Sequence, residues 1–485
     1  MSQAEVALGV GSRGRGTDGQ EVAPFIAAAV GDVARPRARL LPTTKLGHLP
    51  GESGLLVGFK NVSGWMNRGV DHLLDKQRRF GLVFRSQLGP SAFVHVADPE
   101  LIARITRNED RAWSSALAWY AMFTGVDPTR ATMDYTVTMD FDLHRDARKL
   151  LQPAFSAAAT ASYLDMAMPL FETAIDSWVQ QGGVDFKAAI RSLLARASTR
   201  SFLGVNDDAE ASAIERATAD VWGTLFAVLK NRWLSRAHRR SMDGHAYLRS
   251  ALRPRIAERR ASGGEDLFSR LCAETRGAAW LDDEGVVRLF LGILLAAFDT
   301  TASALASMAY LLAKHPEWQE RLRDEALGLH QARISAEDTK RLELGDRAWK
   351  ETLRLMPVTG GIPRYTLRDV TLGDWQIPAG AFVDAMVGPA LRSETHWTHA
   401  DQFDPERFSA ERGEDRAHKG LFLPFGSGAH ACIGLHLATV EAKAFWHAML
   451  TRCRFRLARD YVARHTYVPL GIVSGDVKLV LEPLG

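Results

Sequence analysis

Residues 284–314 hold four charged side chains in thirty-one positions, Glu284, Arg288, Asp299 and Lys314. Their apolar residues lie nearly all round the helix they would form, which leaves no face for water. At 1.5 Å per residue that helix is roughly 45 Å long, enough to cross a whole domain. Its most apolar run, residues 289–298, is ten residues long and is closed by Asp299, too short for a bilayer span. The spacing therefore predicts a helix buried in protein, with the rest of the chain wrapped round it. His315-Pro316 ends it.

The remainder of the 485 residues fits that frame. Helical periodicity dominates residues 140–330, where Ser262-Gly263-Gly264-Glu265 reads as a loop between helices. Weak alternation over 81–96 predicts a β-hairpin turning at Leu88-Gly89-Pro90-Ser91, and Asp98-Pro99 predicts a capped helix start. A second β region is expected over 371–387 with its turn at Pro378-Ala379-Gly380, and strand-like segments close the chain over 467–481. The expected fold class is mainly α with small β-sheets. Residues 1–44 are expected to be a tail and 45–485 one domain.

Charge and cysteine content narrow the function. Sixty Lys and Arg face 57 Asp and Glu, so no global field points to nucleic acid. No signal peptide or membrane anchor is expected, since the only apolar stretch near the start is residues 25–30. Cys272, Cys432 and Cys453 are too few and too scattered for a disulfide framework, which suits a reducing, cytoplasmic setting. A G-x-G-x-x-G match at Gly9, Gly11 and Gly14 lacks the strand and helix that a nucleotide loop needs. H-E-x-x-H and G-x-S-x-G are absent.

One cysteine stands apart. Cys432 lies in LPFGSGAHACIGLHLA, among Gly426, Gly428, Ala431 and Gly434, just before a helical pattern over Leu435–Leu450. Small residues allow close approach of a flat ligand. A helix N-terminus favours thiolate over thiol, and its free N–H groups can hydrogen-bond the sulfur. Phe425 can cover the same side.

At these residues the chain resembles the cytochrome P450 family, in which such a loop carries the axial thiolate of heme iron. The resemblance implies heme b bound through Cys432. Other segments keep the family's order over roughly residues 45–485. Asp299 and Thr300 match its acid–alcohol pair in the long helix, which implies that Thr300 serves the oxygen side and Asp299 relays protons. Ala297 stands where the family usually has Gly, and Ala is small enough to serve. Glu351 and Arg354 share a helix face, and with Arg407 of FDPERF they match a buried network that steadies the cysteine loop. His144, Arg148, Arg364 and His430 match the contacts to the heme propionates. By the same resemblance Trp119, Phe123, Phe226, Leu294, Phe298, Val358, Thr359, Ile362, Leu470 and Ile472 line the substrate pocket.

The chain is similar to soluble bacterial members near the sterol demethylases and retinoid hydroxylases. The implied activity is a monomeric heme-thiolate monooxygenase acting on a terpenoid, steroid, retinoid or fatty-acid-like molecule. It would use O2 and electrons from a ferredoxin or flavodoxin with its NAD(P)H-dependent reductase. Arg145 and Lys149 are candidates for docking that partner. Two other readings are a peroxide-driven peroxygenase and a non-catalytic heme protein that binds a small ligand.

Overall fold

The computed structural model describes residues 43–88, 91–123, 135–225, 233, 235–278, 280–467 and 470–484. The protein is mostly helical with small sheets, and the long helix is its axis. That helix spans Asp283–Lys314. The Asp282 side chain caps it by accepting from the Gly285 N–H at 2.7 Å. Nearly every residue from Gly285 to Leu295 and from Thr301 to Leu312 is buried. It stops at His315, and Pro316 opens the next helix, Pro316–Leu327, at a position that needs no N–H. It is the one described helix apolar and long enough to cross a membrane, and it is spent inside the protein core.

Three further helices position the cavity and the cysteine. Phe186–Leu203 runs along the central helix and ends at Gly204, whose φ of 66° takes up the left-handed conformation that closes a helix cheaply only at glycine. Glu343–Leu355 and Leu435–Leu450 pack on one another and on the central helix. The polar loop expected at 262–265 is present, leaving the helix Arg255–Ser262 through Gly263 at φ 70°.

The largest sheet has five strands in the order Val83–Leu88, Ser91–Val96, Phe382–Ala385, Ile362–Thr366, Trp113–Ser114. The first two form the expected hairpin, with Val83 opposite Val96. Asp98 caps the helix Pro99–Arg107 as expected, accepting from the Leu101 N–H at 2.9 Å. Arg364 sits opposite Val383 in this sheet.

The second β region has its expected turn at Pro378-Ala379-Gly380, where Gly380 has φ 87°, and a further one before it. The further turn is Gly373-Asp374, between Val370–Leu372 and Trp375–Ile377, where Gly373 has φ 56°. Pro378-Ala379-Gly380 turns the chain from this ribbon into the large sheet, and the strand ends at Ala385. A two-residue hairpin needs a positive φ, and Gly373 supplies it. The closing strands are His465–Tyr467, Gly471–Val473 and Lys478–Pro483. Of the expected tail, residues 1–42 lie outside the described residues.

Candidate functional site

The cysteine loop is shaped by its backbone. The Cys432 N–H donates to the Phe425 carbonyl at 2.9 Å, which folds 425–432 back on itself. Gly428 has φ 69°, and a Cβ there would stand 2.4 Å from the Thr106 carbonyl oxygen. Only glycine lets the loop seat against the helix Pro99–Arg107, where Ser427 Oγ meets Thr106 Oγ1 at 2.6 Å. The Cys432 sulfur is reached by the N–H groups of Gly434 and Leu435, the start of the following helix. It is open to an internal cavity and otherwise walled by protein. Burial pushes its pKa up and outweighs those N–H groups and Arg148. This reverses the expected direction for the free thiol: the expectation counted the helix terminus and left out the loss of water around the sulfur.

The cavity is about 380 Å³. Phe425, Gly426, Gly434 and Cys432 form one wall, and Ala296, Ala297, Thr300, Thr301 and Ala304 of the central helix form another. These positions recur at helical spacing, so one stripe of small and hydroxyl side chains faces in. Thr300 Oγ1 donates to the Ala296 and Ala297 carbonyls at 2.7 and 3.1 Å, and Thr301 Oγ1 to Ala297 at 3.2 Å. Asp299 turns away from the cavity. It takes a two-pronged contact from Arg191, at 2.6 and 3.3 Å, and Arg191 also reaches Glu215 at 3.4 Å. Burial pushes the Asp299 carboxyl up, against the pull of Arg191.

A cluster of two arginines and two histidines borders the cavity. Arg364 and His430 line it, while His144 stacks behind His430 with ring centres 3.8 Å apart. Arg148 donates to the Ala431 carbonyl at 2.9 Å and so braces the cysteine loop. Arg364 is 2 % exposed, and its Nε has no hydrogen-bond partner although Nη1 reaches the Pro363 carbonyl at 2.9 Å. Burial brings Arg364 down to about 10 and His144 to about 4, with Arg148 and Arg364 adding to the second. The nearby carboxylate, Asp140, is engaged by Ser114 Oγ and the Ser115 and Ala116 N–H groups. Buried donors left short of an acceptor are costly, so this corner is built for an anionic ligand group. Two carboxylates on a flat ligand whose centre meets Cys432 fit it. Among the described residues no three His, Cys, Asp or Glu side chains gather to hold a metal ion by themselves.

On the helix Glu343–Leu355 and the segment after it, Glu351, Arg354 and Arg407 come together, each at most 1 % exposed. Arg354 grips Glu351 through two bonds of 2.7 and 2.9 Å, and Arg407 Nε reaches the same carboxylate at 3.2 Å. The arginines also donate to the carbonyls of Leu391, Thr398, His399, Ala400 and Gln402. A stretch without regular structure is thereby held by side chains.

The residues expected to line the substrate pocket divide between the cavity and the core. Trp119, Val358, Thr359, Ile362 and Leu470 line the cavity. Leu294, Phe298 and Ile472 do not. Leu294 is fully buried in a core cluster with Ala147, Phe268 and Leu289, and Phe298 packs in another core beneath Arg191. Both flank the cavity stripe on the helix, so nearness in sequence misplaces them. Ile472 packs against the core from a short strand. The Phe123 side chain and Phe226 lie outside the described residues. Sequence reading missed Phe155, Phe202, Val221 and Trp222, which line the cavity from three separate elements and carry no local signature. It also missed Glu441, a carboxylate on the cavity wall whose sign was a charge amid the apolar run of Leu435–Leu450.

The fold is helical and wraps one long helix, with a lone cysteine facing a small-residue stripe of that helix across a cavity. Residues 58–479 match the family model for cytochrome P450, and the chain belongs to that family. It is 31 % identical to cytochrome P450 136 of Mycobacterium tuberculosis over 71 % of this chain and 72 % of that one. It is 28 % identical to the cyclooctat-9-en-7-ol 5-monooxygenase of Streptomyces melanosporofaciens over 76 % and 82 %. A solved structure titled "Retinoic acid bound cyanobacterial CYP120A1" superposes with a TM-score of 0.82 at 21 % identity, covering 90 % of this chain and 99 % of that one.

Proposed function

We propose that this protein is a monooxygenase that binds heme b through Cys432 and hydroxylates a lipophilic molecule in the adjoining cavity. The observation that carries the reading is the Cys432 sulfur opening onto a cavity whose other wall is Thr300 and Thr301. When bound, heme b supplies the oxygen-activating chemistry, which a thiolate ligand favours.

The chain's own residues hold, orient and exclude. Cys432 ligates the iron, with the Gly434 and Leu435 N–H groups on its sulfur. Arg364 and His430, backed by His144 and Arg148, take the propionates. Phe425, Gly426, Gly434 and Ala297 leave room for the flat ring. Glu351, Arg354 and Arg407 position the loop behind. Thr300 presents a hydroxyl to the cavity, and Asp299, the preceding residue, faces Arg191 on another side of the helix. On this reading Thr300 Oγ1 hands protons to the cavity, and Asp299 relays them when its contact with Arg191 opens. Trp119, Phe202 and Trp222 exclude water from the substrate's side.

The apolar lining suits a terpenoid, steroid, retinoid or fatty-acid-like substrate, and a relative named for oxidising cyclooctat-9-en-7-ol supports that class. Electrons come from a separate ferredoxin or flavodoxin and its NAD(P)H-dependent reductase. Arg145 and Lys149 are weak docking points, because Asp142 and Asp146 already pair them at 2.6 to 3.6 Å. We take residues 45–485 as one catalytic domain, monomeric and cytoplasmic.

Purified protein should take up heme and give the red-shifted carbonyl band of thiolate-ligated ferrous iron, and Cys432→Ala should lose it. With a surrogate ferredoxin and reductase it should oxidise a member of a lipophilic panel. A colourless protein, or an unshifted band, overturns the assignment. Turnover with peroxide alone favours a peroxygenase, and ligand binding without any oxidation favours a sensor.

A further inference from the structure

Among the described residues Glu441 is the one carboxylate on the cavity wall, and neither the family's acid–alcohol pair nor the arginine–histidine corner employs it. It stands about two turns into the helix that begins just after Cys432. The side chain is 7 % exposed, and that exposure is to the cavity. Among the described residues nothing hydrogen-bonds it and no cation pairs with it. The contrast with the neighbouring helix is plain, because there Glu351 is saturated by two arginines and the Asp404 N–H.

The charged groups around it face elsewhere, and on its own helix Lys443 lies in the field of Asp346 and Glu325. The cavity's other titratable side chains are Arg364, His430 and Cys432, with Tyr135 beside them. On the central helix Asp299 faces Arg191. On Glu343–Leu355, Lys350 faces Asp346, and Glu351 and Arg354 face each other. On Pro316–Leu327, Arg323 reaches the Leu450 and Cys453 carbonyls and Glu325 takes the Leu344 and Gly345 N–H groups. On Ala157–Gln180, Glu172 pairs with Arg333 and Asp176 with Arg452. On the strand Cys453–Leu457, Arg454 pairs with Glu320 and Arg456 with Glu482. On the short helix Asp338–Arg341, Lys340 pairs with Glu337 and Arg341 with Asp338.

We propose that Glu441 takes up a proton when the heme iron takes up its electron, so that reduction adds no net charge to this buried site. This rests on the heme-thiolate assignment. The step balances simply. One electron passes from the one-electron donor to the iron, one proton passes from solvent to a Glu441 carboxylate oxygen, and a single O–H bond forms.

The physical reason is electrostatic. Ferric iron, a porphyrin dianion and a thiolate sum to zero charge, and reduction leaves one negative charge in a medium of low dielectric constant. An ionised carboxylate beside the same cavity opposes that charge, whereas a neutral one does not. Burial alone lifts Glu441 to about 7, so its proton is exchangeable near neutral pH. Reduction lifts it further, and the two equilibria become linked.

The test is a spectroelectrochemical titration of the heme-loaded protein from pH 5 to 9, beside Glu441→Gln. In the parent the midpoint potential should be flat at low pH and then fall as pH rises through the region near 7. The slope should approach 59 mV for each tenfold drop in proton activity, the limit for one proton per electron. Glu441→Gln should be flat across that window. In the parent, a reduced-minus-oxidised infrared spectrum should gain a protonated-carboxyl band, a reading that needs no variant. A pH-independent parent potential, a variant that keeps the parent's slope, or a difference spectrum without that band overturns the proposal. A protein whose reduced carbonyl complex lacks the thiolate band overturns the functional assignment and this inference together, whereas a correct band with a flat potential overturns this inference alone.

Discussion

Glu351 and Glu441 are both buried carboxylates on helices that pack against each other, and they are treated in opposite ways. Glu351 is met by Arg354, Arg407 and a backbone N–H, so its charge is fully used in holding neighbouring chain. Glu441 meets no donor among the described residues and faces the cavity. A buried charge with every lone pair occupied stabilises one arrangement, because losing a partner strands the rest. A buried acid with none is uncharged at low pH, and its ionisation is then available to respond to whatever enters the cavity.

The sharpest break in that contrast is Glu351→Ala. It strands two arginines that are essentially unexposed, and removing one partner of a buried ion pair costs about 3–5 kcal/mol. Denaturant unfolding should show that loss, and on the proposed supporting role heme retention should fall with it. A variant that unfolds like the parent would remove the supporting role.

The opposite sign is expected at Glu441. Its carboxyl titrates near 7 when folded and near 4.5 when free. Between those values the folded chain binds more protons than the unfolded one, so this group's contribution falls as pH rises through that window. The fall amounts to roughly 3 kcal/mol, at 1.36 kcal/mol for each pH unit. Glu441→Gln should therefore gain on the parent from pH 5 to pH 8, and a parent-minus-variant stability difference that stays flat would refute the assignment.

Thr300→Ala should perturb stability least, since it removes a hydroxyl bonded only within its own helix, a change of about 1 kcal/mol or less. Heme binding should persist while electrons leak to peroxide. Unchanged product yield per electron would count against Thr300 as the cavity's proton donor.

What could be read in advance was local. The Asp98 cap, the stop at His315-Pro316 and the turn of the cysteine loop depend on residues a few positions apart. The Glu351–Arg354 spacing is equally local, although its burial is not. Leu294 and Phe298 were misplaced because a buried helix is apolar all round, and hydrophobicity alone cannot tell which stripe meets a void. Asp299 and Thr300 adjoin in sequence yet point different ways, since consecutive helical residues are about 100° apart.

The amino-acid sequence by itself determined the central helix, the sulfur's place at the head of another helix and the membership these imply, because such features follow from spacing along one segment. Tertiary structure alone decided which side chains bound the cavity and which charges find partners. Arg191 meets Asp299 across 108 positions, while Glu441 meets no described partner. Partnership and burial are properties of distance in space, and a cost in dielectric surroundings exists only once distant segments have closed around the group.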